Sequence, residues 1–134
     1  MKKFDQFQSN LKVLERAHKE DLENEFIVSG IIDKFFIQFE LGWKALKDLL
    51  VYEGVSGAKS GSPRQIIKEA YRLYDFIRED TWLEMLSQRN DMAHLYDEEA
   101  AKRLMRRILT DYIPAFRQVQ DGLISRYGDI LNNL

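Results

Sequence analysis

Eight consecutive residues, Arg89-Asn90-Asp91-Met92-Ala93-His94-Leu95-Tyr96, gather more chemically capable side chains than any other stretch of this chain. The imidazole of His94 can carry or remove a proton near neutral pH, and the guanidinium of Arg89 can clamp a phosphate through paired N–H donors. On a regular helix Asn90 lies four residues from His94 and Asp91 lies three, so either polar side chain can reach the imidazole and fix its tautomer. Arg89 and Tyr96 are seven apart and share nearly one stripe. Arg89 and His94 do not: five residues separate them by about 140° around the axis. One helix alone would not aim both at a single small atom. The pattern therefore asks for a distorted helix, or for a second copy of the segment brought across a two-fold axis. Spacing by itself favours a plainer reading, in which this Arg and His are each satisfied by neighbouring carboxylates.

The remaining polar candidates read more simply. Lys102, Arg103, Arg106 and Arg107 form a basic stripe that could track a phosphate backbone. With Glu98 and Glu99 one turn earlier, the stripe also fits a solvated, self-paired face. Glu40 stands four residues before Lys44, the favourable order for a helix ion pair, and is read as structural. His18 falls on the inward stripe of the first helix and is read as a packed or rim histidine. Trp43 and Trp82 read as core anchors.

Composition narrows the chemistry further. The 134 residues hold 20 Lys plus Arg against 22 Asp plus Glu, a net charge of −2, so the chain is no polycation and any nucleic-acid contact must be local. The absence of cysteine removes disulfides, thiolate zinc sites and a cysteine nucleophile. The only two histidines are far apart and form no helix-borne metal pattern. Charges recur every few residues through the first 26 positions, which fits neither a signal peptide nor a membrane span, so a soluble, cytoplasmic protein is the expectation.

The elements that must position these residues are helical. Only 7 Gly and 2 Pro punctuate the chain, too few for a sandwich or barrel. Phe4, Phe7, Leu11 and Leu14 predict a first helix over roughly 2–24, and Ile32 to Leu50 predict a second ending near Gly54. The segment 54–61, GVSGAKSG, predicts a loop. Ser62-Pro63 predicts an N-cap and first turn, with Ile66, Ile67, Ala70, Leu73 and Tyr74 on the apolar face of the third helix. Asp80 or Thr81 would cap a fourth, reaching about Tyr96 with Trp82, Met85, Leu86, Met92 and Ala93 inward. Asp97, Glu98 and Glu99 would open a last helix that Pro114 kinks and Gly128 ends. Trp43, Trp82, Phe36, Phe39, Leu46, Met85, Ile108 and Val119 are expected in the core. The fold class is therefore all-α, an antiparallel up-and-down four-helix bundle with an extra short helix, in one domain over 1–134.

The octet resembles the Arg-x-x-x-x-His-x-Tyr signature of the HepT-like HEPN family, also called nucleotidyltransferase substrate-binding proteins. Phe39-Glu40-x-x-Trp43-Lys44, Ser62-Pro63-Arg64, Ala70, Trp82 and Arg89-Asn90 through His94-x-Tyr96-Asp97 follow that family's pattern and order over most of the chain. The resemblance implies a homodimeric, metal-independent ribonuclease toxin that needs no cofactor, acts on RNA and is controlled by a small nucleotidyltransferase antitoxin. It implies Arg89 and His94 as catalytic residues with Asn90 orienting His94 or touching substrate, and Tyr96 as the acceptor of AMP from the partner. Arg103, Arg106 and Arg107 become candidate RNA-backbone contacts. A second function class fits the same residues: a non-catalytic subunit that holds a nucleotide or substrate phosphate for a partner transferase.

Overall fold

The computed structural model describes the whole chain apart from the side chain of His94. It is all-α, with no strand among the described residues: α1 (Lys2–Glu15), α2 (Glu25–Tyr52), α3 (Pro63–Leu73), α4 (Glu79–Asn90), α5 (Glu98–Arg107) and α6 (Ile113–Tyr127). Among the described residues no helix is long and apolar enough to cross a membrane.

Helix α1 buries Phe4, Phe7, Leu11 and Leu14, as their spacing requires. It ends nine residues sooner than the predicted boundary at 24. After Ala17 the run His18 to Asp21 is polar throughout and offers nothing to bury. Asn24 instead caps α2, its side-chain oxygen accepting the Phe26 and Ile27 N–H groups. His18 is correspondingly exposed rather than packed, its Nδ1 3.0 Å from the Glu15 carbonyl oxygen.

Helix α2 is the central rod, with Phe35, Phe39, Leu46, Leu49 and Leu50 all fully buried. Gly54 follows its C-terminal cap with φ +78°, a left-handed conformation that costs a residue with a Cβ atom. Ser62 and Gln65 form a reciprocal capping box on α3, with Pro63 in the first turn. Helix α4 begins one or two residues ahead of the predicted cap. Arg78 is its N-cap without a side-chain bond, and Glu79 and Asp80 lie inside the first turn, where the helix dipole favours carboxylates.

The last helix is one rod in two parts. A π turn, Ile108–Tyr112, joins α5 to α6, and the Ile113 N–H donates to the Ile108 carbonyl five residues back. This turn precedes Pro114, whose ring would otherwise strike the carbonyl four residues earlier. Gly128 closes α6, as its position predicts.

Contacts fix the directions of the rods. Lys3 pairs with Asp48 and Asn10 with Gln38, so α1 and α2 run antiparallel. Glu23 pairs with Lys102 and Glu53 with Arg126, so the last helix runs parallel to α2. Glu84 of α4 meets Arg107 while Trp82 meets Phe116, which sets α4 antiparallel to the last helix.

At the centre Trp82 is fully buried, with ring centroids 5.9 Å from Phe39 and 5.4 Å from Phe116. Gly42 makes this possible, because a Cβ there would lie 2.7 Å from Trp82 Cη2 and 3.0 Å from Phe7. Trp43, Leu46, Met85, Ile108 and Val119 are buried as expected; Phe36 is only half-buried, at the edge of the cluster.

Candidate functional site

Trp82 is three and four residues before Met85 and Leu86, and these are four and three before Arg89, so the stripe that buries Trp82 also carries Arg89 towards α2. Directly opposite stands Glu40, flanked by the buried Phe39 and Trp43. Its Oε1 accepts the Arg89 Nε–H at 2.8 Å, and its Oε2 accepts the Trp43 indole N–H at 3.0 Å. Lys44 Nζ lies 3.6 Å from the same Oε2. Glu40 therefore does pair with Lys44 as expected, but its closer partner is an arginine 49 residues away.

That carboxylate fixes the guanidinium from its inner side. One Nη1–H donates to Asn90 Oδ1 at 3.1 Å, which leaves Nη2 and the second Nη1–H without an acceptor among the described residues. Arg89 also lines a recess of about 480 Å³ between the start of α3 and the end of α4. Ser62, Pro63 and Arg64 line it from α3; Ser87, Arg89, Asn90 and the carboxylate-bearing Asp91 line it from the end of α4. Arg64 is exposed and enters no ion pair with a described residue, so two guanidinium groups border one recess. The two cations outnumber the one carboxylate, Asp91, and suit an anion with several oxygens such as a phosphate.

The helical register assumed for the octet does not hold. Helix α4 stops at Asn90, Asp91 leaves the helical region at φ −115°, ψ 51°, and Met92–His94 forms a single 3-10 turn. Asn and Asp side chains compete for backbone hydrogen bonds and so weaken a helix interior, which accounts for the stop. Met92 and Ala93, expected inward, are exposed instead. Of the two alternatives raised by the 140° separation, the break in the helix is the one present, and the separation no longer argues for a second copy. The side chain of His94 lies outside the described residues. Tyr96 is 92% exposed, just ahead of Asp97, whose carboxylate caps α5 by accepting the Glu99 N–H.

The basic stripe divides. Arg103 and Arg106 are exposed and form no ion pair with a described residue, whereas Lys102 bonds Glu23 at 3.0 Å. Arg107 is committed within the fold: its Nε and Nη2 grip the two oxygens of Glu84 at 2.8 and 2.7 Å, and Nη1 meets Asp111. Tyr112 also donates its hydroxyl to Glu84. Arg107, by its hydrogen bonds, and Tyr112 hold the Glu84 carboxyl below the usual carboxylate range against the opposing effect of burial. Arg107 thus joins α4 to the last helix rather than standing ready for a phosphate backbone.

Two site residues escaped the sequence reading in these roles, Glu40 as the partner of Arg89 and Arg64 as a second cation. A lone carboxylate between Phe39 and Trp43 was the available signal, because a half-buried charge demands a partner.

A family model described as nucleotidyltransferase substrate binding protein like matches residues 2–125. Comparison with curated proteins finds no match.

Proposed function

The chain belongs to the nucleotidyltransferase substrate binding protein-like family, and from that premise we propose that it is a HepT-like HEPN toxin, a metal-independent ribonuclease governed by a nucleotidyltransferase partner. The observation that carries this reading is the guanidinium of Arg89, held by Glu40 at a recess that Arg64 also lines. A positioned cation of this kind stabilises the extra charge of a phosphorane. The 2′-oxygen of RNA attacks the adjacent phosphorus, the bond to the 5′-oxygen breaks, and a 2′,3′-cyclic phosphate and a 5′-hydroxyl result. His94 serves as the proton-transfer group, as the resemblance implies, and Asn90 supports Arg89 through its side-chain oxygen. Exposed Arg103 and Arg106 supply backbone contacts, and the family resemblance supplies the homodimer.

Control by the partner acts at Tyr96. Its phenolic oxygen attacks the α-phosphorus of ATP, pyrophosphate leaves, and the phenolic proton passes to solvent. The exposure of Tyr96 supports this role, since an enzyme can reach it without unfolding the chain. The added phosphodiester places negative charge in the segment that follows Arg89, where it competes with an RNA phosphate.

RNA cleavage by the purified chain in EDTA tests the reading, with Arg89→Ala and His94→Ala as controls. Loss of at least about tenfold to a hundredfold in Arg89→Ala is expected, because a cation on transition-state charge is commonly worth a few kcal/mol. Equal degradation by wild type and His94→Ala overturns it. A second reading then takes its place: a non-catalytic subunit that holds a nucleotide or substrate phosphate at the same recess, favoured by the family's description.

A further inference from the structure

An apolar trough runs along the outer side of the α1–α2 hairpin. On α2 it follows Phe26, Gly30, Lys34, Ile37 and Leu41, a stripe at steps of four, four, three and four. Val13 of α1 and Lys34 line both of its halves. Phe26 is 79% exposed and Ile37 48%, an unusual display of large apolar side chains on one stripe. From Phe26 to Leu41 the trough spans about 22 Å at 1.5 Å per residue, the length of a four-turn helix.

Gly30 adds a separate observation. It lies within α2, where glycine is about 1 kcal/mol worse than alanine. Nothing in the chain occupies the space its Cβ would fill. Packing within the fold therefore does not call for glycine here, whereas a helix backbone from another molecule would need that space. The rim is basic: Arg16, Lys19, Lys34 and Lys2 stand against Glu20 and Asp5, and none of the four cations forms an ion pair with a described residue.

We propose that this trough is the docking surface for an amphipathic helix with acidic flanks, contributed by the partner nucleotidyltransferase. The proposal rests on the partnership put forward above and assigns its location. An apolar helix face would cover Phe26 and Ile37 and pass closely over Gly30, while its flanking carboxylates meet Arg16, Lys19 and Lys34. A second copy of the chain fits poorly, because two basic rims would face each other across a two-fold axis.

Calorimetric titration with the purified cognate nucleotidyltransferase tests the assignment. Gly30→Gln should raise the Tm of the isolated chain, since it removes a helix-interior glycine into open space, yet weaken the complex at least about tenfold. Phe26→Ala should weaken it similarly with Tm unchanged, and Lys19→Glu with Lys34→Glu should both weaken it and flatten its salt dependence. A complex that forms with undiminished affinity in all these variants overturns the docking site and leaves the partnership standing. Absence of any complex with wild type overturns both. Variants that lose RNA binding but keep the transferase assign the trough to nucleic acid, and variants that change only the oligomeric state by light scattering assign it to self-association; either result overturns the proposal.

Discussion

Breaking the Glu40–Arg89 pair is the most informative perturbation of the site, because its outcome can be worked out without knowing the substrate. The two side chains are 30% and 34% exposed and meet at 2.8 Å. With the charges about 4 Å apart, the gross attraction is about 4 kcal/mol at an effective dielectric constant of 20 and about 1 kcal/mol in bulk water. Desolvation and side-chain ordering consume most of it, and pairs open to solvent retain about 0.2–1 kcal/mol. Hydrogen bonds to charged groups reach about 1.5–3 kcal/mol. A half-buried pair should fall between, and Lys44 at 3.6 Å stays with Glu40 when Arg89 is removed, which lowers the coupling towards about 1 kcal/mol. Urea denaturation of wild type, Glu40→Gln, Arg89→Gln and the double variant measures this coupling directly. Glu40→Leu should be more damaging than Glu40→Gln, because it strands the Trp43 indole and the Arg89 Nε–H with no acceptor, whereas glutamine keeps one oxygen for the two donors. A coupling below about 0.3 kcal/mol, or the reverse order of the two Glu40 variants, would refute the claim that this carboxylate holds the guanidinium in place.

Gly42→Ala should destabilise the chain by about 1–3 kcal/mol, measured as a fall in urea midpoint, since the new methyl meets the Trp82 ring. Glu84 contributes stability that is present above its unfolded pKa and lost as pH falls through its lower folded value; Glu84→Gln should therefore flatten the acid limb of a stability–pH profile while changing its neutral region less. Burial, followed by the hydrogen bond with the Tyr127 hydroxyl, raises the Tyr74 phenol, so this group supports the fold below its unfolded pKa. That support declines as pH rises above the unfolded pKa and is lost fully once the folded pKa is passed; in an alkaline absorbance titration Tyr74 should ionise only together with unfolding. Tyr96→Phe should leave stability within about 0.5 kcal/mol, given its exposure, and abolish the gain of about 329 Da per AMP after co-expression with the transferase, read by intact-mass spectrometry.

Local chemistry was legible wherever neighbours in sequence are neighbours in space. The Ser62-Pro63 start, the Gly54 and Gly128 ends and the stripes of α1 and α2 all depend on contacts within a turn or two. The end of α4 was not, since Met92 and Ala93 continue an apolar pattern that the Asn90-Asp91 pair interrupts. Glu40 and Arg89 lie 49 residues apart, and no periodicity within either helix discloses that they meet. The same holds for Arg107, whose stripe looks free until Glu84 is brought against it by α4.

The π turn between α5 and α6 stores one residue more than an α-helical path over the same rise would hold. Removing a residue such as Thr110 would restore ordinary winding over that rise and leave α6 in its present register with α5, so Phe116 would keep its place against Phe7, Phe35 and Trp82. The loss would fall on Pro114 instead, whose ring would meet a carbonyl of the restored helix at a cost of about 3 kcal/mol. The turn therefore accommodates one proline locally, whereas a single-codon deletion within α5 or α6 themselves would turn everything beyond it by about 100°.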